Sequence, residues 1–178
     1  GYPGESCYNC VLPGVQYMIN TGYIDEKKIG ACGHSWGGYQ TAYLATRTNL
    51  FAAFESGAPV VNMFSAYGGI RWGSGLARAF QYEHTQSRQG GTPWTHPMRY
   101  FTNSALFSMD KVQTPILIMH NDADGHVPWY QGIEFFVAMK RLGKTCWMLN
   151  YTGEPHWPTK MPNKKDFQTR MAQFFDHY

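Results

Sequence analysis

The sequence predicts an α/β fold with a mostly parallel sheet, and three observations carry that prediction. Segments with apolar residues at helical spacing alternate with short apolar runs from one end of the chain to the other. Turn residues bound these runs, as is typical of strands buried in a parallel sheet. No internal repeat or linker interrupts the alternation, so we expect a single domain over residues 1–178.

The individual elements follow from the same patterns. Apolar residues at helical spacing predict a first helix from about Cys10 to Asn20, after a loop over residues 1–9. Three more long helices are predicted, over residues 37–47, 129–142 and 164–177. Four strands are predicted, over residues 29–34, 51–55, 115–120 and 145–151. The aromatic, glycine-rich stretch over residues 60–94 should hold a short helix or two.

Composition narrows the class of protein. With 43% hydrophobic and 15% charged residues, the chain is typical of folded rather than disordered proteins. Aromatic residues make up 16%, which indicates a large aromatic core or a cleft lined by rings. The net charge is +3, and no run of Lys and Arg could follow a phosphate backbone, so we expect no nucleic-acid partner. No apolar stretch is long enough to span a bilayer, so we expect no membrane partner.

The cysteines and histidines do not form a recognisable metal motif. Cys7 and Cys10 make one CxxC, with no second pair and no histidine pair at zinc-finger spacing. No histidine pair has HExxH spacing either. Cys32 lies in a predicted strand, where we interpret it as a small apolar core residue. We therefore expect no metal and no cofactor, and the pattern leaves open whether the protein is periplasmic, secreted or cytoplasmic.

The pentapeptide Gly33-His34-Ser35-Trp36-Gly37 supplies the first candidate catalytic residue. It follows a predicted strand and opens a predicted helix, which is the context of a nucleophile elbow. Small flanking residues let the backbone turn sharply and hold the Ser35 hydroxyl above the sheet. The backbone N–H of Trp36, at the start of the helix, would then face a developing oxyanion. The alternative interpretation is a glycine-rich turn in a non-catalytic domain.

Two further candidates each follow a predicted strand of their own. Asp124 lies in the polar turn after the third strand, and catalytic groups gather at the carboxyl ends of parallel strands. Asp122 lies in the same turn and competes for the role, and either acid could instead cap a turn. His156 lies on the loop after the fourth strand. The order Ser35, Asp124, His156 is that of α/β hydrolases, unlike that of the chymotrypsin and subtilisin types.

That order predicts a division of labour. Ser35 attacks a carbonyl carbon, and His156 takes its proton and later returns it to the leaving group. Asp124 holds the imidazole in one tautomer and stabilises its charged form. The expected architecture is therefore an α/β-hydrolase fold, with a mostly parallel sheet as the middle of three layers. The other six histidines receive no catalytic role, and we interpret His34 as a structural neighbour of the nucleophile.

Around these residues the sequence resembles the catalytic domain of the prolyl oligopeptidase family of serine peptidases, peptidase family S9. The most specific match is Gly33-His34-Ser35-Trp36-Gly37-Gly38-Tyr39. Further matches are residues 23–30, 103–107, 114–120, 124–128 and 154–156, so the resemblance covers almost the whole chain. It implies a serine-type peptidase that cleaves short peptides, with Ser35, Asp124 and His156 as its triad. It also puts Asp124 ahead of Asp122.

The resemblance further implies a pocket for the residue before the cleaved bond. Trp36 and Val127 are expected to border this pocket, and Tyr67 and Trp72 to supply further rings. Flat rings would suit proline or another compact apolar residue of a peptide substrate.

Two departures from the family pattern bear on these expectations. The family usually has glycine after the strand-end His120, whereas this chain has Asn121, which a turn should tolerate because Asn accepts unusual backbone angles. Family members also carry upstream strands, a β-propeller and a second oxyanion donor. We therefore expect the C-terminal portion of a longer enzyme, with a fold incomplete on its N-terminal side. Its exposed sheet edge could mediate self-association.

Two other functions stay open at this point. A carboxylesterase or acetyl esterase would use the same elbow and triad, because ester and amide hydrolysis need the same groups. The chain could also be a poorly active hydrolase-like fragment, since one missing oxyanion donor typically costs on the order of a hundredfold in rate. The triad does not distinguish an endopeptidase from a dipeptidyl or acylaminoacyl peptidase.

Overall fold

The computed structural model describes residues 1–178 in full. Its six strands, in chain order, are β1 (Gly30–His34), β2 (Ala53–Gly57), β3 (Ile70–Arg71), β4 (Leu76–Ala77), β5 (Ile116–Met119) and β6 (Cys146–Leu149). Its seven α-helices are α1 (Pro3–Asn20), α2 (Trp36–Ala45), α3 (Met63–Tyr67), α4 (Ala79–Glu83), α5 (Pro97–Thr102), α6 (Tyr130–Arg141) and α7 (Met161–His177). Short 3-10 helices cover Glu26–Lys28 and Ala105–Lys111. No helix has the length and apolarity needed to cross a membrane.

A four-stranded parallel sheet, in the order β1-β2-β5-β6, forms the centre of the protein. These are the four strands that the sequence predicts, although the second begins at Ala53 rather than Phe51. β3 and β4 make a separate antiparallel pair. Because all four central strands point the same way, the loops that follow them meet at the carboxyl-terminal end of the sheet.

Side chains from the two faces of the sheet enter different apolar clusters, as the alternation along a strand requires. On one face, Phe54 and Ile118 pack with Phe135 of α6 in the main core. On the other face, Leu117 packs with Phe174 of α7. Helices therefore cover both sides of the sheet, and the predicted three-layer α/β arrangement is confirmed.

The first helix starts seven positions earlier than the apolar repeat indicates, so the predicted loop over residues 1–9 is wrong. Pro3 occupies the first turn, where a missing N–H costs nothing. The backbone of Gly4 lies so close to the ring of Tyr43 that a Cβ atom would overlap it. The Gly4 N–H also donates to Asn103 Oδ1 at 3.1 Å. These distant contacts, rather than periodicity, stabilise the first turns of α1.

Strand β1 lies at the edge of the sheet and pairs only with β2. Within this chain, no strand pairs with the other side of β1. The interpretation of Cys32 as a buried core residue is wrong, because Cys32 lies on this uncovered strand and is exposed. Its thiol is free, as are those of the other three cysteines.

Glu55, in the middle of β2, is an acid inside the sheet. Only 3% of it is exposed, and one carboxyl oxygen, Oε1, has no hydrogen-bond partner. Burial raises the pKa of Glu55 to about 8, and a hydrogen bond from the Gly33 backbone offsets only part of that rise. Glu55 is therefore mostly neutral at pH 7.

This buried acid makes stability depend on pH. Because the pKa of Glu55 is raised to about 8 from an ordinary 4.5, the unfolded chain ionises first, and stability falls as pH rises between these values. We expect Glu55→Gln to raise the free energy of unfolding by about 2–3 kcal/mol at pH 7 and by little below pH 4.5. Urea unfolding at several pH values measures this. The exposed Glu26→Gln is the control, and an equal gain in both variants would contradict the prediction.

Candidate active site

Ser35 occupies the sharp connection between β1 and α2. Its backbone is in the left-handed region, with φ 62° and ψ −114°, which a non-glycine residue adopts only at a cost. Gly33 permits the turn, because a Cβ atom there would overlap the carbonyl group of Gly37. Ser35 thus stands at the end of a strand in the strained conformation predicted for a nucleophile elbow. Trp36 opens α2, so its N–H is one of the amides with no partner inside the helix.

Asp124 and His156 meet although they lie 32 residues apart in the chain. Asp124 follows β5 and His156 follows β6, and the parallel pairing of these strands brings both loops to the carboxyl-terminal end of the sheet. His156 Nδ1 lies 2.7 Å from Asp124 Oδ2, and both residues are buried. Since a carboxylate only accepts, Nδ1 carries the hydrogen and Nε2 is the free acceptor of the ring.

The carboxyl group of Asp124 is surrounded by donors. Oδ1 accepts from the backbone N–H groups of His126 at 2.8 Å and Val127 at 2.9 Å. His120 Nε2 lies 3.2 Å from Oδ2, beside His156. Burial alone would raise the pKa of Asp124, but hydrogen bonds from His120 and His156 outweigh it and hold the pKa well below its ordinary value. Asp124 is therefore a charged group that can orient His156.

The competing acid, Asp122, has a different set of contacts. Its carboxylate accepts from the backbone N–H of Gly153 at 2.7 Å, and its own N–H donates to Asn150 Oδ1 at 3.0 Å. No hydrogen bond joins its side chain to His156. The structure thus pairs Asp124, rather than Asp122, with the histidine.

Asn121 connects the loop of the acid to the loop of the histidine. It is fully buried, its Oδ1 accepts from the N–H of Tyr151 at 3.2 Å, and its Nδ2 donates to the carbonyl of Pro155 at 2.8 Å. Its backbone is not in the left-handed region, so the expected reason for tolerating Asn here is wrong. The side chain instead fixes the residue directly before His156.

Glu154 closes the histidine loop from the other side. Its buried carboxylate accepts from the N–H and hydroxyl of Thr159, the N–H of Lys160 and the side-chain amide of Asn163, at 2.6–3.1 Å. Burial would raise the pKa of Glu154, but these hydrogen bonds prevail and lower it to about 2. The loop that carries His156 is therefore held by Asn121 at one point and by Glu154 at another.

Three aromatic rings surround the His156 imidazole. Ring centroids lie 4.6 Å away for His34, 5.0 Å for His126 and 5.2 Å for Trp157. Burial is the main cause that lowers the pKa of His34 to about 4, and the neighbouring His156 adds to this effect. The His34 ring is therefore neutral at pH 7. No hydrogen bond joins Ser35 to His156, but the contact with His34 brings the elbow alongside the imidazole.

The residues predicted to line a pocket are only partly brought together. Trp36, Tyr67 and Val127 share one cluster of mostly aromatic residues, in which Trp36 stacks on Tyr39 at 4.4 Å. Trp72 is 71% exposed and lies outside this cluster. Sequence reasoning missed its buried members Tyr82 and Tyr100, which stand on α4 and α5. It also missed the hydrogen bond of His120 to Asp124, for which the only signal was a histidine at a strand end.

The chain is similar in sequence and in structure to several known peptidases. The chain is 28% identical over 178 residues to Dipeptidyl-peptidase 5 of Porphyromonas endodontalis, covering 94% of this chain and 24% of that protein. Among solved structures it is similar to Porphyromonas gingivalis dipeptidyl peptidase 4, with a TM-score of 0.74, 25% identity and coverage of 87% and 20%. A puromycin-hydrolyzing peptidase of Mycobacterium tuberculosis, at 22% identity, shares the fold, with a TM-score of 0.80 and coverage of 92% and 24%.

The chain thus spans a quarter or less of the length of these relatives. Their fold confirms the predicted α/β-hydrolase fold, of which this chain forms a part. The family model of the prolyl oligopeptidase family matches residues 2–178, which is nearly the whole sequence. The resemblance noted in the sequence is therefore confirmed, and the chain belongs to the prolyl oligopeptidase family of serine peptidases.

Proposed function

We propose that this chain carries the catalytic residues of a serine peptidase that hydrolyses peptide bonds of short peptides. The observation that supports this most strongly is the buried, charged Asp124 bound to His156, next to the strained Ser35 elbow. Membership of a peptidase family agrees with that arrangement. The relatives named as dipeptidyl-peptidases support short peptides as the substrate class.

The mechanism follows from the free nitrogen of His156. Nε2 takes the proton of the Ser35 hydroxyl as its oxygen attacks the substrate carbonyl carbon, and Asp124 stabilises the resulting imidazolium. The Trp36 N–H donates to the oxyanion of the tetrahedral intermediate. His156 then gives its proton to the leaving amine, which leaves an acyl ester on Ser35. A water molecule, activated by the same nitrogen, hydrolyses that ester and frees the carboxylic acid.

The neighbouring rings would receive the residue before the cleaved bond. Trp36, Tyr67 and Val127 are partly or wholly buried in one aromatic cluster, and such a surface suits a compact apolar side chain such as proline. Tyr67 also donates its hydroxyl hydrogen to Glu83 at 2.6 Å, which holds the hydroxyl end of the ring in place. We further propose that the free edge of β1 can pair with a second copy of the chain. Sedimentation of the wild type against Cys32→Lys would test this pairing, because a lysine on an edge strand opposes it.

The nucleophile can be tested by covalent labelling, which needs no natural substrate. We expect a fluorophosphonate probe to label the wild-type chain, and Ser35→Ala to reduce labelling roughly 10³-fold or more because the attacking oxygen is gone. The exposed Ser74→Ala is the matched control and should label like wild type. Labelling that persists in Ser35→Ala would contradict the proposal. Wild-type turnover of acyl esters without any turnover of aminoacyl-proline amides would favour an esterase instead.

A second prediction concerns the connection between the two loops. Asn121→Gly removes the hydrogen bonds to Tyr151 and Pro155, so His156 should lose its fixed position. We expect labelling of Ser35 to slow by about ten- to hundredfold, because small displacements of a catalytic group are costly. With a turned-over substrate, the loss should appear in kcat and hardly in KM.

The exposed Asn49→Gly provides the control for the effect of a new glycine. Circular dichroism at the assay temperature checks that both variants are folded. If Asn121→Gly reacts as fast as Asn49→Gly, then Asn121 does not position His156.

A further inference from the structure

His126 is a histidine beside the reacting ring that peptide hydrolysis does not use. Its backbone N–H serves Asp124, but its exposed imidazole makes no hydrogen bond. The ring lies 5.0 Å from that of His156, with an angle of 33° between their planes. One potential ligand atom from each of Asp124, His126 and His156 lies within 4.8 Å of the other two. Three donors of suitable type therefore lie close to one another at this place.

We propose that Asp124, His126 and His156 form an inhibitory site for Zn²⁺ or a similar imidazole-preferring transition-metal ion. Two imidazole nitrogens and one carboxylate oxygen are a common set of three protein ligands for zinc, with water as the fourth. Zinc lies about 2.0–2.2 Å from such atoms, so the donors must approach to about 3.3 Å of one another. His126 can close that gap because its side chain is exposed and no hydrogen bond holds its ring, which only lies against those of His156 and Trp157.

The ion takes the place of the hydrogen that His156 shares with Asp124. Nδ1 and Oδ2 are 2.7 Å apart, so both atoms reach a metal with a small opening of the pair. The hydrogen moves from Nδ1 to Nε2 of the same ring, and the imidazole stays neutral with no proton lost. Asp124 keeps its two backbone donors on Oδ1. With Nε2 protonated, His156 has no lone pair to take the proton of Ser35.

Binding can be measured without any activity. Isothermal titration calorimetry of the 178-residue chain with zinc chloride should give about one site, whereas magnesium chloride, which prefers oxygen ligands, should give none. We expect His126→Gln to weaken zinc binding at least about tenfold. His84→Gln is the matched control, because His84 is exposed and 3.3 Å from Glu83, so it offers another pairing of a histidine with a carboxylate. Absence of zinc binding, or equal affinity in His126→Gln and wild type, would overturn the site.

Inhibition rests on the proposed function and is measured separately. Zinc should slow fluorophosphonate labelling of the wild type, EDTA should restore it, and the same zinc concentration should affect His126→Gln much less. Zinc that binds with no effect on labelling would overturn the inhibitory role. A metal-free chain that does not label at all would count against the proposed peptidase site, and calorimetry alone would then decide the metal site.

Discussion

A charged carboxylate held away from water is the constraint on which the rest of the site depends. Burying Asp124 without donors would cost several kcal/mol, so the surrounding chain has to supply them. Two come from the backbone just beyond it, one from His120 at the end of β5, and one from His156 on another loop. Meeting that requirement fixes both the acid loop and the orientation of the imidazole.

Much of the fold and of the candidate site could be predicted from the sequence because the informative patterns are local. Ser35, Asp124 and His156 each follow a recognisable strand. In a parallel sheet, the residues that follow the strands lie together at the carboxyl-terminal end. The choice of Asp124 over Asp122 needed the family resemblance as well, since both acids lie in the same turn. The structure adds the hydrogen bonds that distinguish the two acids: Asp124 pairs with His156, whereas Asp122 accepts from the Gly153 N–H.

The residues that escaped prediction depend on partners far away in sequence. The first turns of α1 are stabilised by Tyr43 and Asn103, which no apolar repeat around Pro3 reveals. Asn121 is an ordinary turn residue by composition, and only the packing of two loops gives its amide two partners. Cys32 lies in an apolar strand, yet its exposure depends on which elements cover that face of the sheet.

Ser35 continues directly from β1, a strand that pairs on one side only within this chain. Ser35 comes directly after the last residue of this strand, and its N–H donates to the carbonyl of Gly57 in β2 at 2.8 Å. A strand docking along that side would hydrogen-bond to the residues immediately before Ser35. A contact along that side would therefore act on the same stretch of backbone that sets the conformation of Ser35.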